Sequence, residues 1–204
     1  MKKQLIIKII SVFLILWISW INMAQAQAII PNNNKLLGHS EPDVSVQFFR
    51  KNCYFHNGDY GVQMCEKLVA STPNDPEAWN NLGYQYFHVK KYKKALFAYK
   101  QALDLNPKYS LAWANICGLL SQVESYDLAL QACDRALLNN SYWGSDGEAL
   151  AWDNKGNILF YLGRYQESLD AFNHALAANP NYSNANINRS VVLNHLKYFV
   201  LNKD

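Results

Sequence analysis

Four cysteines are the side chains best suited to chemistry in this chain, at Cys53, Cys65, Cys117 and Cys133. Four cysteines allow three different disulfide pairings. Cys53 and Cys65, together with His56, also supply three side chains of the kind that bind zinc. A structural zinc site takes four ligands, and no fourth ligand follows at a usual spacing, so the pattern favours disulfides over a metal centre. Buried free thiols are the alternative for Cys117 and Cys133.

The chain has no arrangement of residues that indicates an active site. Motifs for zinc hydrolases, serine nucleophiles, phosphate loops and C-x-x-C redox chemistry are missing from the sequence. The five histidines are scattered, and no pair of carboxylates is isolated in an apolar setting. We therefore predict a protein that is not an enzyme and that uses no cofactor and no metal.

Composition indicates a folded domain without an electrostatic surface for nucleic acid. At 204 residues one ordinary domain is expected, and 14% of the residues are aromatic, which is too many for a disordered chain. Residues 1–26 contain three lysines and no acidic residue, and the remainder has 16 basic and 16 acidic residues. This balance disfavours nucleic acid and anionic lipid as partners.

Residues 1–26 have the pattern of a bacterial signal peptide. A short basic start precedes a mostly apolar stretch, which ends in small residues two positions apart at Ala24 and Ala26. We expect cleavage after Ala26, or else after Ala28, and export to the periplasm or the cell exterior, where conditions are oxidising. An uncleaved membrane anchor is the rival interpretation. Residues 27–41 carry Asn, Pro and Gly without periodicity and are predicted to form a flexible tether.

The rest of the sequence repeats with a period of about 34 residues. Trp79 and Trp113 are one such period apart, whereas Trp113 and Trp152 are five positions further apart than that, so five extra residues lie between those two units. The clearest unit follows W-x2-L-G-x2-Y, then A-x3-aromatic and a closing proline, at Trp79, Leu82, Gly83, Tyr86, Ala95, Tyr99, Ala102 and Pro107. This pattern resembles the tetratricopeptide repeat (TPR), a helix–turn–helix unit of the same length.

The resemblance implies an all-α fold, a right-handed superhelical array of TPR helix–turn–helix units with a C-terminal capping helix. We place the array at residues 42–204. Its units are a degenerate first repeat at about 42–75, full repeats at 76–109, 110–143 and 149–182, and a half repeat at 183–199. Small residues such as Gly83 and Ala95 are expected where helices approach closely, so we interpret them as packing residues.

Helical hairpins also predict how the cysteines pair, because residues equidistant from the turn face one another. Cys53 and Cys65 each lie six residues from Asp59, inside a predicted turn. Cys117 and Cys133 each lie eight residues from the middle of a later turn. We therefore expect bridges that join the two helices of one unit, with Cys53 paired to Cys65 and Cys117 paired to Cys133.

One polar residue recurs in register on the first helix of the units. Two positions after each Trp or its equivalent lies an amide side chain, Gln47 in the degenerate repeat and then Asn81, Asn115, Asn154 and Asn188. A carboxamide offers a donor and an acceptor side by side, so each can hold one peptide unit of an extended ligand. The series resembles the asparagine ladder in the TPR portion of O-linked N-acetylglucosamine transferase, without any catalytic residue. Asparagines that merely solvate the helices are the alternative.

The concave surface of the first helices is the predicted binding surface. Besides the asparagines, it is expected to present aromatic, apolar and amide residues, namely Tyr84, Phe87, His88, Leu119, Gln122, Asn157, Phe160 and Tyr161. The Lys/Arg clamp that holds a C-terminal carboxylate in some chaperone-binding TPRs is missing. An extended, neutral-to-apolar peptide is therefore expected. Packing against the next unit is the alternative for Phe87 and Phe160.

These patterns predict a non-enzymatic scaffold for protein–protein interaction that binds an extended peptide or protein segment on the concave face. The alternative is an assembly or oligomerisation module that stacks through its terminal helices, since the last helix is expected to expose Val191, Val192 and Leu196. Under that alternative the chain forms a homo-oligomer. A hydrolytic or metal-binding use of the corner around His56 is the third hypothesis.

Overall fold

The computed structural model describes residues 43–201, and every regular element in that range is an α-helix. The predicted signal peptide (1–26) and tether (27–41) lie outside the described residues. Nine helices occupy the range: α1 (Val44–Phe55), α2 (Gly58–Ser71), α3 (Pro76–His88), α4 (Tyr92–Leu105), α5 (Ser110–Gln122), α6 (Tyr126–Asn139), α7 (Gly147–Tyr161), α8 (Tyr165–Ala178) and α9 (Ser183–Leu201). None of the helices described is long and apolar enough to cross a membrane.

The helices form two layers. The most extensive contacts join α1 to α2, α3 to α4, α5 to α6 and α7 to α8, and α9 packs on α8 and α7. The odd-numbered helices also contact one another in order along the array, whereas no two even-numbered helices within residues 43–201 are in contact. The odd-numbered helices therefore form a continuous inner layer, and the even-numbered helices form the outer layer. The result is an all-α array of TPR-like helical hairpins.

Glycine on the first helix of a unit lets an aromatic ring from the second helix lie directly against its backbone. A methyl group on Gly83 would lie 2.5 Å from the ring of Tyr99, and one on Gly156 would lie 2.6 Å from the ring of Phe172. Both rings are only 1% exposed. Because such distances are far below van der Waals contact, a larger residue at either glycine would force the two helices apart.

Hydrogen bonds from tryptophan join two of the units to the end of the preceding one. Trp79 Nε1 donates to the carbonyl oxygen of Pro73 at 2.8 Å, and Trp113 Nε1 donates to that of Pro107 at 3.3 Å. The two tryptophans are one repeat period apart, and so are the two prolines. The contact between them repeats because the whole unit repeats.

Disulfides join the two helices of two units. Cys53 of α1 is bonded to Cys65 of α2, and Cys117 of α5 is bonded to Cys133 of α6, with S–S distances of 2.03 and 1.95 Å. All four residues are fully buried. No cysteine of the described chain is a free thiol, and that part of the molecule contains no group of three or more Cys, His, Asp or Glu able to hold a metal ion.

The long connection between α6 and α7 packs against the beginning of α5. Ser110 N donates to the carbonyl oxygen of Ser141 at 3.1 Å, and Leu111 N donates to that of Tyr142 at 3.4 Å. The first N–H groups of a helix have no partner within the helix, so this loop satisfies two of them in α5. The extra residues of the third unit thereby become part of the edge of the inner layer.

The exposed face of α9 differs in part from the prediction. Val191 is 49% exposed, but Val192 is 1% exposed and Leu196 packs against the core. Ile187 and Tyr198, which are 62% and 67% exposed, complete the outward apolar face with Val191. The correction follows from helical periodicity, since Val192 lies about 100° around the helix from Val191 and points back toward α8 and α7.

Candidate functional site

A groove of about 1650 Å³ runs along the inner layer. Helices α3, α5 and α7 each contribute four residues to the groove, at the same positions relative to Trp79, Trp113 and Trp152. The first lies two positions before the Trp, and the other three follow it. These positions are spaced i, i+4, i+7 and i+11, so they share one stripe of a helix. The stripes are Glu77, Asn81, Tyr84 and His88 in α3, Leu111, Asn115, Gly118 and Gln122 in α5, and Leu150, Asn154, Asn157 and Tyr161 in α7. Asn184 and Asn188 of α9 continue them.

Most of the predicted binding residues lie along this groove. They are Asn81, Tyr84, Phe87, His88, Asn115, Gln122, Asn154, Asn157, Tyr161 and Asn188. The sequence-based prediction omitted the row that precedes the Trp, which includes Glu77 and Leu111. The same repeat register would have located that row, because it lies one helical turn before the asparagines.

Leu119 and Phe160 are corrected by the structure. Leu119 is 2% exposed and belongs to the core, because it lies beside the groove stripe on the buried side of α5. The ring of Phe160 packs at centroid distances of 5.5 Å on Tyr165 and 5.6 Å on His195 of α9. The structure therefore supports the alternative given for Phe160, in which its ring packs against the next unit. Phe87 lines the groove and is also partly packed against the core.

The asparagines of the ladder bond to neighbouring units. Asn115 Nδ2 donates to Asn80 Oδ1 at 2.9 Å, and Asn188 Nδ2 donates to Asp153 Oδ1 at 3.0 Å. Asn154 Nδ2 donates to a backbone carbonyl of α5 at 3.1 Å. In each case the acceptor belongs to the residue just before the ladder position of the preceding unit. One N–H of each amide is therefore used between units, while its oxygen and second N–H have no partner recorded within the described chain.

Two of the acceptor side chains are buried polar groups. Asn80 is 2% exposed and Asp153 is 4% exposed. Asp153 also accepts from Asn157 Nδ2 at 3.3 Å, and no ion pair of the described residues includes it. Burial raises the pKa of the Asp153 carboxyl, and the hydrogen bonds from the two asparagines oppose that shift. The pKa of nearby Tyr182 is raised to about 12, mainly by burial and to a smaller extent by the negative charge of Asp153.

Gly118 gives Asn154 its place on the groove floor. A methyl group on Gly118 would lie 3.0 Å from Asn154 Nδ2. That distance is shorter than ordinary contact, so the side chain of Asn154 crosses directly over the backbone of α5. Glycine at this position of the stripe keeps the ladder hydrogen bond within reach.

The first junction uses a different amide. Gln85 of α3 is 1% exposed and its Nε2 donates to the carbonyl oxygen of Cys53 at 2.9 Å. No hydrogen bond is recorded for the side chain of Asn81, the first asparagine of the ladder. Buried amide groups thus connect successive units, although the residue that supplies the amide differs at the degenerate repeat.

The two rims of the groove differ in chemistry. The rim at the beginning of the inner helices contains Asp75, Glu77 and Asp146. The opposite rim, at the ends of these helices, is mostly aromatic and consists of Tyr54, Phe55, Phe87, His88, Glu124, Tyr126 and Tyr161. No Lys or Arg of the described chain lines the groove. The asparagine side chains form the floor of the groove, and the formal charges that line the groove are all negative.

Comparison with known proteins agrees with this architecture. The family model described as "Tetratricopeptide repeat" matches residues 76–109 and again residues 149–182. Small glutamine-rich tetratricopeptide repeat-containing protein 2 of Mycosarcoma maydis is 29% identical over 98 residues, 48% of this chain and 26% of that protein. Human tetratricopeptide repeat protein 28 is 30% identical over 96 residues, 47% of this chain and 4% of that protein. The chain therefore spans only a small part of these relatives.

Solved structures show the same fold at low sequence identity. A crystal structure of MamA superposes with a TM-score of 0.57 at 16% identity and covers 77% of this chain and 86% of that chain. A structure described as the first TPR of Spaghetti (RPAP3) bound to HSP90 peptide SRMEEVD superposes with a TM-score of 0.53 at 20% identity, over 60% of this chain and 94% of that one.

The fold and the groove define a helical-repeat protein of the TPR type. The chain contains tetratricopeptide repeats, since two family models of that description match residues 76–109 and 149–182. TPR domains are non-enzymatic protein-interaction modules, and a solved neighbour holds a peptide.

Proposed function

We propose that this chain is a non-enzymatic scaffold that binds an extended peptide or protein segment in the groove of its inner layer. The observation that carries the proposal is the row of ladder asparagines along the groove floor, in which each amide retains an oxygen and an N–H beyond its bond to the neighbouring unit. Such groups pair with the backbone of an extended ligand. The ligand would bond mainly through its backbone.

The shape and lining of the groove support this function. A peptide of about ten residues is roughly 33 Å long when extended, and the groove follows successive inner helices from α3 to α9. Exposed rings of the groove, such as Tyr84 and Tyr161, offer apolar area to alternate side chains of the peptide. No enzymatic role is proposed, because no residue pair in the groove forms a nucleophile with a base.

Peptide display on the purified full chain tests this proposal. Selected peptides would be remeasured against a Tyr84→Ala/Gln122→Ala variant, which removes two groove side chains without touching the ladder. A Leu128→Ala/Leu138→Ala variant is the control, because both residues are exposed on the outer helix α6. We expect the groove variant to weaken binding about tenfold, as loss of aromatic contact area would, and the control to bind normally. Equal binding by all three proteins would reject the groove as the site.

Assembly through the last helix is a second candidate function. The outward face of α9 carries Ile187, Val191 and Tyr198, each about half exposed or more. A second copy that stacks on this face would bury these side chains. Sedimentation of the chain and of an Ile187→Ser/Val191→Ser variant separates the two functions, since only assembly requires this face. A monomeric wild-type chain at all concentrations would count against assembly.

We also propose that the chain is exported and that its disulfides form in an oxidising compartment. This proposal comes from residues 1–26, which resemble a cleavable signal peptide. Fractionation of the producing cell, followed by mass measurement of the mature N-terminus, tests it. A chain that begins at Gln27 in the exported fraction is the expected result, and a full-length chain in the cytoplasm would reject it.

A further inference from the structure

The charges of this molecule are divided unequally between the groove and the rest of the surface. Residues 43–201 contain fourteen Lys and Arg and fourteen Asp and Glu, so the described chain is neutral. Four of those acids line the groove, at Asp75, Glu77, Glu124 and Asp146, and none of the cations does. Arg50 neutralises part of one end, since it contacts Asp75 at 2.6 Å and Glu77 at 3.5 Å.

Two groove carboxylates have no cationic partner within the described residues. Glu124 and Asp146 appear in none of the ion pairs there, and both are exposed. Asp146 accepts a hydrogen bond from Asn179 Nδ2 at 2.8 Å, whereas no hydrogen bond is recorded for the Glu124 side chain. Glu124 is therefore the carboxylate of the groove most open to a ligand cation.

An aromatic pair lies beside Glu124. The rings of Tyr126 and Tyr161 are stacked at a centroid distance of 5.8 Å and an interplanar angle of 17°, and Tyr161 is 65% exposed. Glu124 lies two positions before Tyr126, the first residue of α6, and both residues line the groove. Burial, and to a smaller extent the Glu124 carboxylate, raises the pKa of Tyr126. A cation over the face of an aromatic ring and near a carboxylate gains from both groups.

The backbone at Glu124 adopts a conformation that favours glycine. Glu124 has a φ of 60°, in the left-handed region, and the residue in the same place of the last full unit is Gly163, with a φ of 74°. Lys90 holds that place in the second unit, with a φ of 59°. A side chain in this region is less stable than glycine by about 1 kcal/mol, so glycine at position 124 would relieve this strain.

We propose that the groove binds an extended peptide that carries Lys or Arg, in place of the neutral-to-apolar peptide expected from the sequence, and that Glu124, Tyr126 and Tyr161 form the subsite for its cationic group. This inference rests on the proposed function, because it assumes that a peptide occupies the groove. Charge complementarity identifies the occupant, since a groove with only negative formal charges disfavours an acidic segment. The peptide in the RPAP3 structure, SRMEEVD, contains three acidic residues, and this groove would repel such a segment.

Three matched peptides test the preference. Each is fluorescein-labelled, about ten residues long, and built on a Val-Pro-Xaa-Thr repeat that stays extended because of proline, with Xaa as Lys, Gln or Glu. Anisotropy titration of the full chain is expected to give about tenfold tighter binding for the Lys peptide than for the Gln peptide, and weaker binding still for the Glu peptide. Raising salt from about 0.05 M to about 0.5 M should weaken the Lys peptide alone.

Two variants locate the cation. We expect Glu124→Gly to weaken the Lys peptide about fivefold and to leave the Gln peptide unchanged, while it raises the urea midpoint of unfolding. Lys90→Gly relieves the same backbone conformation and should raise that midpoint without changing the affinity for any of the peptides. Because Glu124→Gly is expected to raise the stability of the protein while it weakens binding of the Lys peptide, loss of folding cannot be the cause of the weaker binding.

Each outcome decides a distinct point. If none of the peptides binds, both the proposed function and this inference are rejected. If the Gln or Glu peptide binds as tightly as the Lys peptide, only the inference is rejected, and the peptide groove remains. If the Lys peptide is preferred but the Glu124→Gly variant binds it normally, the subsite is rejected.

Discussion

Asn115 Nδ2 donates a 2.9 Å hydrogen bond to Oδ1 of Asn80, so the ladder asparagine of one unit bonds to the polar residue of the unit before it. Asn80 is 2% exposed, which means that water cannot replace this bond. The ladder is therefore both part of the groove floor and part of the contact between units. This double role governs how variants of the ladder will behave.

Removing the Asn115 amide should destabilise the array. Asn115→Ala leaves the buried Asn80 oxygen without a donor, and an unsatisfied buried acceptor costs about 1–3 kcal/mol. Asn81→Ala is the matched control, because no hydrogen bond of that side chain is recorded, and we expect it to change the free energy of unfolding by less than about 0.5 kcal/mol. Urea denaturation followed by circular dichroism measures both. Equal losses in the two variants would contradict the bond between units.

Gly118 and Asn154 should be coupled. Gly118→Ala places a methyl group 3.0 Å from Asn154 Nδ2, and we expect a loss of about 1 kcal/mol as that side chain is displaced. In a background that already carries Asn154→Ala, the methyl group meets no amide and should cost little. A double-mutant cycle therefore gives a coupling energy of about 1 kcal/mol, and strict additivity would show that the contact has no effect.

The buried Asp153 should make stability depend on pH. Its pKa in the folded state is raised above the ordinary value of 3.8, mainly by burial. A raised carboxyl pKa means that the folded state holds the proton more tightly than the unfolded state. This group therefore favours folding at low pH, and its contribution is lost as the pH rises from the ordinary value through the raised one.

Comparison with Asp153→Asn tests this dependence. We expect the free energy of unfolding of the wild type to fall, relative to that of the variant, as the pH is raised from about 3 to about 7. Urea titrations at these two values measure the difference. Asn in this place keeps an oxygen for Asn188 and removes the charge. A difference between the proteins that does not change with pH would contradict the raised pKa.

The disulfides should contribute separately to stability. They close loops with sequence separations of 12 and 16 residues, and a loop of that size stabilises by about 3 kcal/mol in the loop-entropy model. We expect Cys117→Ala/Cys133→Ala to lose about that amount, with the other bridge intact. Alkylation of the urea-unfolded wild type without reductant should modify none of the four cysteines. Modification of all four, read by mass, would show that the bridges are absent from the protein.

Local spacing was enough to predict most of the fold. Trp79, Gly83 and Tyr99 lie within one unit, and the repeat period placed the helices, the turns and the inner stripe of asparagines. The neighbours of a residue within a hairpin are set by the length of its two helices and its turn. For the same reason the cysteine partners follow from equal distances to a turn.

Contacts between units could not be read from spacing. The sequence determined that this chain repeats a helical hairpin and presents asparagines in register. Only the tertiary structure decided that Asn188 bonds to a buried Asp153, that Leu119 belongs to the core and that Phe160 packs on His195. Each of these contacts depends on the angle at which successive hairpins pack. That angle results from side-chain packing across the whole interface, and no single period in the sequence specifies it.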